Sequence, residues 1–170
     1  MNYSDIKYTD MINGKGIRVT IFVSGCSHRC KGCFNKETWN PEYGVPFTDE
    51  IKENIFEYFE RFDSAMQGLS ILGGDPTYYK NVETLTKFCE EFKNRFPKKD
   101  IWIWSGFTWE QIVEDVKKYN LIKNCDILVD GKFMEELKDV NLRWRGSSNQ
   151  RVINIQETIK NDNQIVLYEK

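Results

Sequence analysis

Four short apolar segments alternate with helical patterns along the chain, and this alternation constrains the fold more than any other feature. The segments are rich in β-branched and aromatic residues, which favours buried strands, and they cover residues 17–24, 68–72, 101–105 and 125–129. Strands separated by helices pair in parallel, because each crossover returns the chain to the same end of the sheet. Edge strands are expected within residues 3–13 and 152–170. We therefore predict an α/β protein with a mostly parallel sheet, folded as one domain over residues 1–170.

Apolar side chains recur at helical spacing between these strands, and we expect three helices to bury them. The first helix should begin after Thr48, a favourable N-cap, with Asp49 and Glu50 in its first turn. The third should begin at a capping box of Thr108 and Gln111. The expected buried faces comprise Ile51, Ile55, Phe59 and Phe62; Val82, Leu85, Cys89, Phe92 and Phe96; and Trp109, Ile112, Val113 and Val116.

Charge and hydropathy patterns limit where the protein works and what it binds. The net charge of −2 comes without a long run of one sign, so we expect neither nucleic acid nor a membrane surface as partner. Residues 1–10 lack the basic and apolar regions of a signal peptide, and no stretch approaches the roughly 20 apolar residues of a membrane span. We expect a cytoplasmic protein whose thiols stay reduced and free to bind metal.

Three of the five cysteines, Cys26, Cys30 and Cys33, follow directly after the first predicted strand with the spacing C-x3-C-x2-C. Three thiolates within eight residues can converge on one iron–sulfur cluster. A 4Fe-4S cluster normally takes four cysteines, so three would leave one iron open to a substrate or a second cofactor. Ligands placed just beyond the carboxyl end of a strand are typical of α/β folds.

Two other interpretations of this stretch stay open on the residues alone. A zinc site with His28 as the fourth ligand has suitable donors, although zinc ligands usually come as two pairs with a longer spacer between them. A disulfide is the other, although the cysteine count is odd and nothing indicates secretion. We expect His28 to be a polar loop residue near the cluster, and Cys89 and Cys125 to be packed in the core.

The other strand ends carry small and polar residues. Gly73, Gly74 and Asp75 follow the second strand, where the glycines permit close backbone approach and the carboxylate could accept a hydrogen bond from an ammonium group. Gly32 permits a similar approach beside Cys33. Three further residues could meet a cofactor or could be ordinary core, turn or surface residues: Phe34 after the cysteines, Ser105 at the end of the third strand and Lys132 after the fourth.

Together these motifs resemble those of the radical S-adenosylmethionine enzymes. The cysteine spacing is that superfamily's signature, and Gly73-Gly74-Asp75-Pro76 is similar to its Gly-Gly-Glu-Pro motif, which holds the methionyl amino group. Two positions depart from the pattern, with Asp75 in place of Glu and Gly32 where an aromatic residue is common. The resemblance implies that Cys26, Cys30 and Cys33 hold a 4Fe-4S cluster. It implies that S-adenosyl-L-methionine is bound by Gly32, Cys33, Phe34, Gly73, Gly74, Asp75, Ser105, Asp130 and Lys132.

Three further stretches resemble glycyl-radical-enzyme activases. Residues 14–18 (GKGIR) and 104–108 (WSGFT) are similar to segments of those activases, and residues 145–151 (RGSSNQR) are similar to the activating proteins of anaerobic ribonucleoside-triphosphate reductase. This resemblance implies an open, partial (βα) barrel of the radical S-adenosylmethionine type, since about 250 residues are usual for a closed one. Residues 141–170 would be a family-specific segment, whose arginine-framed run we expect to dock the partner.

The implied activity is that of a radical S-adenosylmethionine oxidoreductase. A one-electron donor such as flavodoxin reduces the cluster, S-adenosyl-L-methionine is cleaved, and a glycyl radical forms on the large subunit of the reductase. No residue is expected to act as a general acid or base. Two alternatives remain: an activase of another glycyl radical enzyme, such as pyruvate formate-lyase, and a non-enzymatic iron–sulfur or zinc binding module. The first class tends to be longer, and the second predicts no S-adenosyl-L-methionine binding.

Overall fold

The computed structural model describes residues 1–168, and these contain one open sheet of seven strands. The strands are β1 (Asn2–Asp10), β2 (Ile17–Val23), β3 (Val45–Pro46), β4 (Met66–Gly73), β5 (Asp100–Ser105), β6 (Ile127–Asp130) and β7 (Arg151–Asn154). Their order across the sheet is β3-β1-β2-β4-β5-β6-β7. The central strands β2, β4, β5 and β6 run parallel, whereas β1, β3 and β7 pair antiparallel at the two sides.

The predicted α/β class and the parallel centre of the sheet are confirmed. All four predicted apolar strands are present, and the sheet is not closed, since its outer strands β3 and β7 do not pair with each other within residues 1–168. The N-terminal strand β1 is nine residues long. It is the second strand from the edge of the sheet, because the two-residue strand β3 pairs with its outer side. At the other side β7 is the predicted edge strand, but a helix follows it; residues 169–170 of that prediction lie outside the described residues.

The helices are α1 (Asp49–Arg61), α2 (Val82–Arg95), α3 (Trp109–Val113), α4 (Val116–Ile122) and α5 (Ile155–Lys160). Both predicted caps are confirmed: Thr48 accepts a hydrogen bond from the Ile51 amide, and Thr108 and Gln111 form the capping box. None of the helices in residues 1–168 is both long and apolar enough to cross a membrane.

The predicted buried faces are confirmed except at their ends. Val116 is 72% exposed, not buried, because the predicted third helix is two helices. The carboxylate of Asp115 accepts from the amides of Lys117 and Lys118 and starts α4 in a new direction. Phe62 is also partly exposed, since it is the residue that ends α1.

One apolar cluster fills the space between the sheet and its helices. Alternate residues of the central strands point into it, as the two-residue period of a strand requires, and they meet the apolar faces of α1 and α2. Cys89 and Cys125 are buried in this cluster, as predicted. The intervening strand residues form the opposite face, where Thr20, Ser70 and Trp102 lie side by side on β2, β4 and β5. Loops at the carboxyl ends of the parallel strands are left free to form a site.

Candidate functional site

A cleft of about 550 Å³ opens at the carboxyl ends of the parallel strands. Most of the residues that line it come from the ends of β4 and β5 and from the loops after β2, β4, β5 and β6, and Ile12 and Asn13 come from the loop before β2. Most of the predicted site residues are brought together there: Cys26, Cys30, Gly32, Cys33, Phe34, Gly73, Gly74 and Ser105. The structure therefore places the cysteine motif and the double glycine at one site.

The three cysteines of the loop after β2 are partly buried, and each is a free thiol, so the disulfide interpretation is wrong. Burial raises the pKa of the Cys26 thiol to about 11 and also raises the pKa of Cys30. These thiols favour their neutral form until a cation replaces the proton. Within residues 1–168, no three His, Cys, Asp or Glu side chains are grouped so that they could hold a metal ion.

The double glycine is required by backbone packing against the end of β2. The Gly74 amide donates to the Val23 carbonyl at 2.7 Å, and the Asp75 amide donates to the Gly25 carbonyl at 2.8 Å. Gly73 has a φ of +113°, and a Cβ there would lie 2.7 Å from the Val23 backbone. A Cβ on Gly74 would lie 2.7 Å from the Gly25 carbonyl. Larger residues would push the two loops apart, which explains this part of the motif without reference to a ligand.

The carboxylate of Asp75 is turned into the protein. It is 1% exposed, and Oδ1 accepts from the amide and the hydroxyl of Thr77 at 2.8 and 2.7 Å. Oδ2 lies 2.6 Å from His28 Nε2 and accepts from the Gly106 amide at 3.2 Å. Asp75 is also absent from the residues that line the cleft. This carboxylate therefore organises the walls of the site, and its bonding favours that role over the ammonium contact expected from the sequence.

Two other candidates are placed at the cleft in contrasting ways. Ser105 is buried, and its hydroxyl lies 2.7 Å from the Thr77 hydroxyl and accepts from the Phe107 amide at 3.0 Å. Phe34 is 99% exposed, so it is not a core aromatic. The exposed ring of Phe34 lines the cleft.

Asp130 and Lys132 are not among the residues that line the cleft. Asp130 is buried beneath it, where its carboxylate accepts from the Trp109 amide at 2.7 Å and pairs with Arg151 at 2.5 Å. Lys132 is exposed, and its carbonyl accepts from the side chain of Asn149. Asp130 is therefore bonded within the protein, whereas the positive charge of Lys132 is near enough to Cys30 to oppose the rise in the pKa of that thiol.

The segment that runs from Arg145 to Arg151 is bonded to the loop after β6. Gln150 donates to the Gly131 carbonyl at 2.9 Å, and its amide oxygen accepts from the Gly146 amide at 2.9 Å. The buried hydroxyl of Ser147 accepts from the Met134 amide at 3.1 Å. Gly131, Gly146 and Gln150 also line the cleft. The segment thus builds one wall of the site, a role that the sequence did not predict; docking of a partner there stays a prediction.

Arg151 also pairs with Glu110, and this pair makes stability depend on pH. Its guanidinium donates to both carboxylate oxygens of Glu110, at 3.0 and 2.9 Å. These hydrogen bonds lower the pKa of Glu110 from 4.5 to about 2. The pair therefore contributes fully above pH 4.5, and its contribution is lost as the pH falls from 4.5 to 2. Between pH 4.5 and 2, we expect the free energy of unfolding to fall less in Glu110→Gln than in the unmodified protein. Urea unfolding at each pH measures this difference.

Glu114→Gln is the control for this prediction. Glu114 is exposed at the end of α3, and it makes no ion pair within residues 1–168. That variant should follow the pH profile of the unmodified protein. Equal slopes for all three proteins between pH 4.5 and 2 would show that the Glu110 pair does not contribute.

Comparison with known proteins identifies the family to which this chain belongs. Residues 12–153 match the model of a 4Fe-4S single cluster domain. The anaerobic ribonucleoside-triphosphate reductase-activating protein of Haemophilus influenzae is 43% identical over 150 residues, which are 88% of this chain and 96% of the relative. Those of Escherichia coli and of phage T4 are each 41% identical over 152 residues, 89% of this chain and 97% and 93% of theirs.

The chain belongs to this family of activating proteins. The iron–sulfur domain that the family model describes covers the cysteine loop and all of the central strands. The predicted resemblance to these activating proteins is therefore confirmed by matches over most of the chain.

The residues of the cleft fit an iron–sulfur cluster. Three thiols line one wall, and thiolates are the ligands that such clusters require. Trp39, which lines the same cleft, has an indole nitrogen that is buried and has no hydrogen-bond partner within residues 1–168. A buried donor without a partner is costly, and an anionic cluster in the cleft would offer it sulfur acceptors. The match of residues 12–153 to a 4Fe-4S single cluster domain favours iron–sulfur over the zinc interpretation.

Proposed function

We propose that this protein activates anaerobic ribonucleoside-triphosphate reductase by radical S-adenosylmethionine chemistry. The observation that carries the proposal is the convergence of Cys26, Cys30 and Cys33 with Gly73 and Gly74 on one cleft. Identities of 41–43% with activating proteins along nearly their whole length support the choice of reductase over other glycyl radical enzymes.

In this proposal Cys26, Cys30 and Cys33 hold a 4Fe-4S cluster and leave one iron without a protein ligand. When bound, the cluster supplies one electron that cleaves S-adenosyl-L-methionine to methionine and a 5′-deoxyadenosyl radical, which takes a hydrogen atom from a glycine of the reductase. The electron comes from a donor such as flavodoxin. The chain itself supplies binding, orientation and exclusion of water, and no side chain has to transfer a proton.

S-Adenosyl-L-methionine would occupy the cleft beside the cysteines. The volume of the cleft, about 550 Å³, is within the range of roughly 300–1,000 Å³ that is usual for small-molecule sites. We assign the backbone around Gly32, Gly73 and Gly74 and the ring of Phe34 to its binding, with Ser105 at the floor. Asp75 would act indirectly, by fixing this backbone. We leave Asp130 out of the contacts, because it is bonded to Arg151 and Trp109. Lys132 stays a proposed contact, since it is exposed and its positive charge acts on the Cys30 thiol.

The mouth of the cleft suits a protein partner. Phe34 and Val140 line the cleft and are 99% and 84% exposed. Exposed apolar side chains that cluster around a site are typical of surfaces that bind another protein. We propose that the glycine-bearing segment of the reductase enters here, where its glycine would be close to the bound cofactor. The setting would be the reducing cytoplasm of an anaerobic cell.

Electron paramagnetic resonance (EPR) of the reduced, anaerobically reconstituted protein tests cofactor binding. We expect S-adenosyl-L-methionine to change the spectrum of the reduced cluster, because it would coordinate the open iron. S-Adenosylhomocysteine, which lacks the sulfonium methyl group, controls for non-specific effects. An intact cluster whose spectrum is unchanged at saturating S-adenosyl-L-methionine would favour the binding-module alternative.

A further inference from the structure

The single histidine of the chain connects the two loops that form the site. His28 lies between Cys26 and Cys30, and its Nε2 atom is 2.6 Å from Oδ2 of Asp75, 47 residues further along the chain. The two side chains are 6% and 1% exposed. A hydrogen bond shielded from water in this way is stronger than one at the surface.

The ring of His28 is also held in place by the loop after β5. It packs against Phe107 with the ring centroids 4.5 Å apart and the planes at 68°. A Cβ on Gly106 would collide with the ring, so the backbone approaches it closely. The Gly106 amide also donates to the same Asp75 oxygen as His28 does. His28 therefore joins the ends of β2, β4 and β5 at one point.

We propose that His28 is a positioning residue, which holds the cysteine loop in a fixed relation to the Gly73–Gly74 wall. A ligand that contacts both the cysteine-bound group and this wall needs the two loops at a defined separation. The effect of His28 on S-adenosyl-L-methionine rests on the proposed function, whereas the coupling of the two loops does not.

The contacts that remain without His28 indicate a local effect. Asp75 would keep both bonds from Thr77 and the one from Gly106, so its carboxylate would not become an unpaired buried charge. The turn after β4 would also keep its backbone bonds to Val23 and Gly25. Loss of His28 should thus free the cysteine loop from the turn and leave the sheet folded.

Hydrogen exchange of the apoprotein, followed by mass spectrometry, tests the coupling directly. His28→Leu removes the hydrogen bond, His28→Gln keeps a donor at similar reach, and Lys31→Ala changes an exposed residue of the same loop. We expect His28→Leu to raise exchange several-fold in residues 26–33 and 73–78, with α2 unchanged. His28→Gln should restore part of the protection, and Lys31→Ala should match the unmodified protein. Unchanged exchange at 73–78 in His28→Leu would overturn the proposal.

Cofactor affinity of the reconstituted protein is the second readout. We expect His28→Leu to keep its iron and to bind S-adenosyl-L-methionine about tenfold more weakly, as loss of one buried hydrogen bond would give. His28→Gln should stay within about threefold of the unmodified protein. Equal affinity and equal EPR spectra for His28→Leu and the unmodified protein would contradict the proposal.

The two readouts separate this inference from the proposed function. If the unmodified protein fails to bind S-adenosyl-L-methionine, the proposed function fails, and the exchange data still decide whether His28 couples the loops. If His28→Leu does not fold, hydrogen exchange of His28→Gln tests the proposal in its place. Protection at 73–78 close to that of the unmodified protein would support the hydrogen bond, and full loss of that protection would overturn it.

Discussion

Cys30→Ala will abolish cluster assembly, whereas Cys89→Ala and Cys125→Ala will leave it intact. Cys30 lines the cleft with Cys26 and Cys33, and the proposed cluster, held by only these three thiolates, would not tolerate the loss of one. Cys89 and Cys125 are fully buried in the core, where the thiol of Cys125 points to the Leu121 carbonyl at 3.7 Å. Iron analysis after anaerobic reconstitution should fall from about four atoms per chain to below about one in Cys30→Ala.

The two core cysteines make this a matched test. Each control also removes one thiol, so a general loss of iron-binding capacity is excluded. We expect each control to lose about 1 kcal/mol of unfolding free energy from the small cavity, and to keep its iron. Normal iron content in Cys30→Ala, or loss of iron in Cys89→Ala, would contradict the assignment of the ligands.

Arg18→Met should destabilise the protein by about 3 kcal/mol, the largest stability effect that we expect from a single polar side chain. Arg18 is 0% exposed, on the face of β2 opposite the helices. Its guanidinium donates to the Leu69 carbonyl and the Ser70 hydroxyl, each at 2.7 Å, and to the Lys15 carbonyl at 2.9 Å. All of these acceptors would lose a partner in a buried setting, and methionine replaces only the volume.

Asp100 completes this arrangement. One of its carboxylate oxygens lies 2.6 Å from Arg18 Nη2, and that oxygen has no partner with hydrogen-bond geometry, so the contact is an ion pair only. Asp100 keeps 28% of its side chain exposed, so water can solvate its other carboxylate oxygen after the substitution, although the paired oxygen is buried. This places the expected loss at the lower end of the range of roughly 3–5 kcal/mol for broken buried pairs.

Arg95→Met is the control for Arg18→Met. Arg95 also forms ion pairs, with Glu53 and Glu60, but at the surface of α2. Surface pairs contribute little, so we expect a loss below about 1 kcal/mol. Urea unfolding of the three proteins measures both values. Similar losses for the two variants would show that the buried network of Arg18 has no special role.

Arg18 also explains a motif that the sequence left ambiguous. Gly14 has a φ of +117°, and a Cβ there would lie 2.8 Å from the Arg18 side chain. Gly16 is likewise left-handed, and a Cβ would lie 2.7 Å from Gln67. The stretch GKGIR is therefore a turn that folds over a buried arginine, and neither glycine is needed for contact with a cofactor.

The main features of the fold were predictable because local patterns determined them. Runs of β-branched residues marked the four central strands, and side-chain caps marked the starts of α1 and α3. The two-residue strand β3 has no such pattern, and its pairing with β1 depends on how the chain returns after the cysteine loop. The break between α3 and α4 was missed because Val116 continues the helical spacing, although Asp115 could have indicated a new cap.

The sequence predicted many of the residues that line the candidate site, but not the long-range contacts that hold them in place. Cysteine spacing and glycines at strand ends are local signals, and most of the site residues that the sequence predicted line the cleft. The bond between His28 and Asp75 and the pairing of Arg151 with Asp130 join residues that are 47 and 21 positions apart. No spacing rule reveals such pairs, because they depend on the register of β4, β6 and β7.

The most direct test of the proposed function is the formation of a glycyl radical on the reductase. The reconstituted protein is reduced with dithionite and mixed anaerobically with S-adenosyl-L-methionine and the large subunit of anaerobic ribonucleoside-triphosphate reductase. We expect a glycyl radical in the EPR spectrum, with matching 5′-deoxyadenosine by chromatography. Neither product should appear with Cys30→Ala, and no radical should form when pyruvate formate-lyase replaces the reductase. An intact cluster that yields neither radical nor 5′-deoxyadenosine with the reductase would contradict the proposed function.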